Sequence, residues 1–395
     1  MAGLLDGLRV VEVAHLAPNM LGMHLADLGA DVVKVEDLER GDYTRDVGFA
    51  RAGGLSFLHL RWNRGKRSVA IDLRVHEGAD LFLELVRVSE VVIEGQRPGA
   101  LARRGLGFDA LRAVNPAVVL CSLSGFGQTG PYRDLATHGV AYDAYAGLAP
   151  GGRNDDGVPS IPRDYVDVGI QAGALYATAA VLAALVRARA TGVGAHLDVA
   201  QADAAVAWQA GRLDLHLNDV PRRGGDLRES VRYQYYEASD GRLVLFQATE
   251  RHFFERFCEA VGRTDLLEGR VGAEVGEHAA GDVALRRELA AIFATRTQAE
   301  WIRLLQDADV PGGPVHTVRS LLDDPQFRAR TAFVEHDHPE AGPLRMVATP
   351  IHTDEQPVMP GPAPAQGQDT DEVLEELLGY DATAIADLRD RGVVA

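Results

Sequence analysis

Cysteine is scarce in this chain: Cys121 and Cys258 are the only two in 395 residues. They lie far apart and match no metal-ligand spacing, which excludes a zinc module and the disulfide framework of a small secreted domain. Cys121 stands in the apolar run AVVLCSLS and reads as a buried core thiol. Positive charge is also short, with a formal net charge of -17. That balance argues against a nucleic-acid partner and against an anionic membrane surface, although arginines can still gather around one polyanionic ligand. The N-terminus, MAGLLDGLRVVEV, has no basic segment leading into a long apolar run, so no signal peptide is expected. The longest apolar stretch, Ala172 to Val186, is broken by Tyr176 and Thr178 and reads as a buried helix, not a membrane span. These absences predict a cytoplasmic protein with no nucleic-acid and no membrane partner.

What is present is a globular chain of two-domain length, 46% hydrophobic and 25% charged. The N-terminal half alternates β-branched runs with amphipathic segments. Strands are expected at Leu8–Val13, Ala30–Val35, Ser68–Asp72, Glu90–Ile93 and Ala117–Leu123, with helices at Met20–Leu28 and Gly78–Val88. Strands joined through helices imply right-handed crossovers and a Rossmann-like parallel sheet, an α/β fold. Gly147–Pro162 lacks periodicity and reads as a loop, and Ala172–Arg189 as a long helix stopped at Thr191-Gly192. The polar stretch 218–228, with Pro221, Gly224 and Gly225, reads as a linker. Beyond it a hairpin turning at Asp240-Gly241 and helical segments at Phe253–Val261 and Val283–Leu305 suggest a smaller α/β domain. The expected division is a large domain over 1–217, the linker, a small domain over 229–324 and a return segment over 325–395.

Gly125-Phe126-Gly127-Gln128-Thr129-Gly130 fits the GxGxxG dinucleotide fingerprint and follows a strand. The fingerprint needs a helix opening at once, and here Pro131 and Tyr132-Arg133-Asp134 follow instead. The acidic residue expected about twenty positions on is also missing. A glycine-rich ligand loop at the carboxyl end of a strand is the better reading.

GFGQTGPY, with LADLGADVVKVE, NRGKRSVAIDLR and EGQRPGALARRGLGFDALRAVNP upstream, resembles the signature series of type III (CaiB/BaiF) CoA-transferases and α-methylacyl-CoA racemases. VLAALVRARATGVGAHLDVAQADAA and the closing TDEVLEELLGYDATAIADLRDRGVV continue the resemblance. It implies a Rossmann-like large domain, a smaller domain and two chains interlocked as a homodimer. It also implies acyl-CoA and carboxylic acids as substrates, with no tightly bound cofactor. By motif position, the nucleotide would lie against Leu16, Ala17 and Pro18, against the stretch from Ile71 to Arg74, and against Gly95, Gln96 and Arg103. Arginine and backbone amides suit its phosphates. The family usually places an arginine after the VKVE glutamate, whereas this chain has Asp37, with Arg40 nearby.

In transferases of this kind a carboxylate attacks the thioester and forms a mixed anhydride. The resemblance points to IPRDYVDVGIQAG, where Asp167 fits best and Asp164 is the rival; both also suit the start of a helix, where the dipole favours acids. His138, in HGVAYDAYAGL, is in register with a proton-transfer histidine of the racemases, although Gly139 replaces their next aspartate. Glu250 matches a racemase glutamate and equally suits a helix N-terminus. Gly224-Gly225 is shorter than the glycine run that serves formyl-CoA transferases as a lid. Transferase is therefore the leading expectation, with an Asp/His racemase second and a non-catalytic CoA-binding protein third.

Overall fold

The computed structural model describes residues 3–163, 165–220, 227–268, 276, 278–354 and 358–395. Asp164, Gly224 and Gly225 lie outside the described residues. The chain divides into two units: Met1–Leu213 with Ala332–Ala395, and Asp214–Thr331.

Among the described residues of the first unit, six strands form one parallel sheet: β1 (Arg9–Val13), β2 (Asp31–Glu36), β3 (Lys66–Ala70), β4 (Val91–Glu94), β5 (Val119–Ser124) and β6 (Ala195–Ala200). Their spatial order is 3-2-1-4-5-6, with Arg9 opposite Asp31 on one side of β1 and Val10 opposite Val91 on the other. The parallel, doubly wound sheet is the Rossmann-like type expected from the sequence, and this order puts a topological switch point between β1 and β4. β6 was not anticipated. Its sequence AHLDVA alternates polar and apolar residues at a sheet edge and lacks the continuous apolar run of a central strand.

Both faces of the sheet are covered, which is why its inner strands are apolar at successive positions. Val11, Val13, Val33, Val69, Val92 and Leu120 pack on one face with Phe82 and Leu85 of α2 (His76–Arg87). Val10, Val32, Val91, Ile93, Val119 and Cys121 face the other, against Leu21 and Leu25 of α1 (Asn19–Asp27). Cys121 is buried as expected, and burial pushes its thiol up to about 12. The C-terminal segment returns to this unit: Val373, Leu374, Ile385 and Val394 join the first face. Asp369 accepts the Ser68 N–H at 2.6 Å and Thr370 Oγ1 accepts that of Ala70 at 3.1 Å. The return segment thus satisfies donors on edge strand β3 that would otherwise be open to another chain.

α3 (Val140–Ala146) leads to α4 (Gly169–Thr191), and α5 (Gln201–Trp208) follows β6. The 23-residue α4 is long and apolar enough to cross a membrane, yet Ala177, Val181 and Leu185 are buried against the sheet, as a core helix requires. It begins at Gly169, three residues before the expected Ala172, and Gly169 sits at a close approach to α3. A β-carbon there would stand 2.8 Å from Tyr142 Cβ. Within 147–162 the expected loop carries a short two-stranded pairing, Gly152–Arg153 with Pro159–Ser160.

The second unit pairs Tyr233–Glu237 with Leu243–Gln247 as the expected hairpin, and Gly312–Val315 adds a third antiparallel strand. Gly241 takes φ +73° in the turn. Helix α6 (Arg251–Ala260) packs Phe254 and Phe257 into a core with Phe246, Phe293 and Trp301. The run Val283–Leu305 is two helices, Val283–Phe293 and Gln298–Asp307. Thr297 and Glu300 form a capping box that starts the second.

Candidate active site

At the switch point, the loop after β1 meets the loop after β4. A β-carbon on Gly95 would lie 2.5 Å from Pro18 Cβ, so only glycine admits this contact. Leu16 takes a left-handed φ of +58°, a strained value for leucine, and its N–H is held by Thr44 Oγ1 at 2.8 Å. Underneath lies a buried polar network. Lys34 Nζ donates to Ala14 O at 2.7 Å and Asn19 Oδ1 at 2.9 Å, and lies 3.0 Å from Asp42 Oδ2. Lys66 Nζ donates to Asn19 O at 2.8 Å and Asn63 Oδ1 at 3.0 Å. His15 Nδ1 lies 3.2 Å from Asp42 Oδ1. Burial would raise the Asp42 carboxyl, but Lys34, with the His15 and Thr44 hydrogen bonds, holds it well below the usual carboxylate range. The loop carrying Leu16, Ala17 and Pro18 therefore rests on a fixed charged floor.

The segments that follow β3, β4 and β5 carry arginines. Arg74, three residues after Ile71, is half-exposed and binds Asp72 through two hydrogen bonds of 2.8 and 3.0 Å. Asp37 approaches it to 3.9 Å. Asp37 Oδ1 also accepts the Arg40 N–H at 3.0 Å, so this acid is built into a turn at the position where the sequence departs from the family pattern. Arg103 and Arg133 flank one point, 3.3 and 3.2 Å from where a Gly99 β-carbon would be. Arg104 donates to Gln96 Oε1 at 2.8 Å. Arg104 and Arg133 were not singled out by the sequence. The doubled arginine at 103–104 was the available signal for one, whereas Arg133 comes close only through the fold.

A separate apolar cluster joins the other predicted segments. Ala17 packs with Tyr142 of α3, Ile170 and Ala174 of α4, and Phe126 of the glycine-rich loop. His138 precedes α3 and is exposed. Phe126 meets Tyr145 edge-on with ring centroids 5.4 Å apart, and Tyr132 at 5.5 Å. Asp167 lies just ahead of α4, partly exposed, with its Oδ2 accepting from Gln171 Nε2 at 3.2 Å. The helix start is capped from elsewhere. Asp143, fully buried on α3, accepts the Gly169 N–H at 2.8 Å and the Val168 N–H at 3.2 Å. Tyr165 O–H donates to the same carboxylate at 2.6 Å. Glu250 belongs to the second unit, as the N-cap residue of α6, where its side chain makes no cap hydrogen bond and accepts from Thr249 Oγ1 at 3.1 Å.

Residues 5–370 match the model of CoA-transferase family III. The chain is 32% identical to succinate–glutarate CoA-transferase of Agrobacterium fabrum over 96% of its length and 97% of that protein. It is also 32% identical to succinyl-CoA–D-citramalate CoA-transferase of Chloroflexus aurantiacus, over 99% and 98%. Among solved structures, a CAIB/BAIF family protein from Brucella suis superposes with a TM-score of 0.73 at 30% identity, over 95% of this chain and 100% of that one.

Proposed function

The chain belongs to CoA-transferase family III, and we propose that it moves coenzyme A between carboxylic acids through an acyl anhydride on Asp167. In that route the Asp167 carboxylate attacks the thioester carbonyl, the C–S bond breaks, and the thiolate departs. The second carboxylate then attacks the Asp167 carbonyl of the anhydride and displaces the first acid as its carboxylate. The thiolate attacks the new acyl carbonyl, releasing the Asp167 carboxylate and re-forming a thioester. Each step trades one carboxylate or thiolate for another, so the cycle needs no net proton.

The observation that carries this reading is the cap on α4. A carboxylate just ahead of a helix is ordinarily drawn to its free N–H groups. Here Asp143 takes those of Val168 and Gly169, and Asp167 is left with Gln171 as its recorded side-chain partner. The apolar cluster linking Ala17 to Ile170 supports placing this carboxylate near a thioester whose nucleotide lies at the β1–β4 switch point. Arg74 and Arg103 are assigned to the CoA phosphates, beside backbone at Leu16–Pro18, Ile71 and Gly95–Gln96. His138 and Glu250 are not needed by the anhydride route. They would matter for proton exchange at an α-carbon.

We further propose an interlocked homodimer. Helix Ala210–Leu217 has no buried residue among those described, although Leu213, Leu215 and Leu217 are apolar. Trp208 is 58% exposed and Val186 of α4 is 73% exposed. Exposed apolar residues on this scale fit a face covered by another chain.

The deciding assay offers succinyl-CoA with glutarate or citramalate, the acids named for the relatives. Hydroxylamine should trap an acyl-hydroxamate, borohydride should reduce the anhydride at Asp167, and Asp167→Asn should abolish both. Trapping at Asp164 would move the nucleophile. Solvent deuterium entering a 2-methylacyl-CoA with no trappable anhydride would overturn the transferase route in favour of a racemase.

A further inference from the structure

The strongest unassigned cluster in the first unit is the one around Asp143. Its carboxylate is fully buried, and both oxygens are occupied. Oδ2 accepts from the Tyr165 hydroxyl at 2.6 Å and from the Val168 N–H at 3.2 Å, and Oδ1 accepts from the Gly169 N–H at 2.8 Å. These three donors bracket Asp167 in the chain, two residues before it and one and two after. Asp143 also fixes its own end of the clamp. Its backbone carbonyl accepts the Leu148 N–H at 2.8 Å and the Ala149 N–H at 3.2 Å, closing the turn after α3. The approach of α4 to α3 is close enough that a β-carbon on Gly169 would stand 2.8 Å from Tyr142 Cβ and 3.5 Å from Asp143 Oδ1.

We infer that Asp143, with the Tyr165 hydroxyl, is a positioning residue for the reaction. It occupies the first two amides at the start of α4, those of Val168 and Gly169, which lie nearest to Asp167 in the chain, so that the Asp167 carboxylate is held off them and directed at the thioester. The inference rests on reading Asp167 as the nucleophile. Carboxylates compete for the donors at a helix start. The first-turn N–H groups of a helix have no partner inside it, and the nearest free carboxylate tends to claim them. Without Asp143, the free amides of Val168 and Gly169 lie one and two residues from Asp167, whose carboxylate would fold back onto them. A carboxylate spent as a cap is a poor nucleophile, both because its charge is shared with the amides and because it points away from substrate. Tyr165 reports the same charge. Burial, with the Asp143 carboxylate beside it and Asp167 nearby, pushes its phenol well up, so it remains a donor to Asp143 across the working pH range.

The test uses full-length Asp143→Ala, Asp143→Asn and Tyr165→Phe, with Val181→Ala in the middle of α4 as a control for lost stability alone. Three quantities are read on each: Tm, CoA affinity by calorimetry, and kcat together with borohydride-trapped adduct. Asp143→Ala should lower kcat and the rate of adduct formation together by about 10–100-fold, the scale of a misplaced reacting group, while CoA affinity stays within about threefold. Asp143→Asn keeps one oxygen for the Gly169 N–H and should recover part of that loss. Val181→Ala should lower Tm without lowering kcat more than about twofold. Wild-type kcat and adduct rate in Asp143→Ala would overturn the clamp, whichever residue carries the acyl group. An Asp143→Asn variant no faster than Asp143→Ala would overturn it too. If Asp143→Ala does not fold, Tyr165→Phe decides: about a 3–10-fold loss of kcat supports the clamp, and unchanged kcat overturns it. Turnover by wild type with the adduct on a residue other than Asp167 would instead overturn the nucleophile assignment.

Discussion

Lys34 and Lys66 converge on a single oxygen: their Nζ atoms lie 3.2 and 2.7 Å from Glu12 Oε1. They are the only two lysines in the sequence, and both are buried. Their environments pull them apart. Burial, partly offset by Glu12, draws Lys66 down to about 8. Burial would also lower Lys34, but Asp42, Glu12 and Glu36 outweigh it and hold Lys34 above its ordinary value. Together the two ammonium groups fasten Ala14 and Asn19, the two ends of the loop that carries Leu16, Ala17 and Pro18.

That burial should keep both amines from reacting in the folded protein. Succinic anhydride at neutral pH should label neither lysine in the native state and both in denaturant, read by peptide mass mapping. Lys66→Met should cost about 3–5 kcal/mol, because it leaves Glu12 short of a partner in the interior. Rapid native labelling of either lysine would contradict the buried network.

The two arginines assigned to CoA should contribute unequally. Arg74 is already engaged by Asp72 and approached by Asp37, so binding an anion must compete with those acids. Arg103 has a weak contact to Pro98 O at 3.4 Å and is free to turn toward a phosphate. Arg103→Ala should weaken CoA binding by about 1.5–3 kcal/mol in calorimetry, and Arg74→Ala by less. Asp37→Ala should strengthen binding slightly by removing a competing negative charge.

Acid should destabilise the first unit through His59. Burial, with the Arg45 guanidinium beside it, pushes this ring down to about 3. An unfolded histidine titrates at about 6.5, so between these values the unfolded chain binds more protons and stability falls as pH falls. The slope approaches about 1.4 kcal/mol per pH unit. Asp42, with its lowered carboxyl, adds the same sign below about pH 4. His59→Gln should flatten the dependence of Tm on pH between about 6.5 and 4.

Gly169→Ala should destabilise α4 by overpacking. The added methyl meets Tyr142 Cβ at 2.8 Å and Ala205 Cβ at 3.4 Å, and these belong to packed helices with little room to yield. A loss of about 1–3 kcal/mol is expected in chemical denaturation. A neutral effect would mean that α3 and α4 can separate without cost.

Assembly is checked by dilution. Sizing at nanomolar concentration should still give a dimer if two chains are interlocked, and Trp208→Glu should interfere with assembly. A folded, stable monomer would overturn the interlocked arrangement.

The apolar runs VVEV, DVVKVE and VLCSLS, separated by amphipathic stretches, determined a parallel sheet, because a strand covered on both faces must be apolar at successive positions. The resemblance of whole segments determined the family. The hairpin at Asp240-Gly241 was legible because its turn chemistry is local. β6 was not, because an edge strand alternates and its pairing with β5 joins residues more than seventy positions apart. The break at Thr297 was written in its capping box, but the apolar periodicity on either side concealed it. What only the tertiary structure decided is which carboxylate at the start of α4 serves the helix. Asp143 stands 25 residues before Val168 in sequence and reaches it only once α3 packs on α4. Local sequence records a residue's fitness for a role, while competition between distant residues for the same amides is settled by folding.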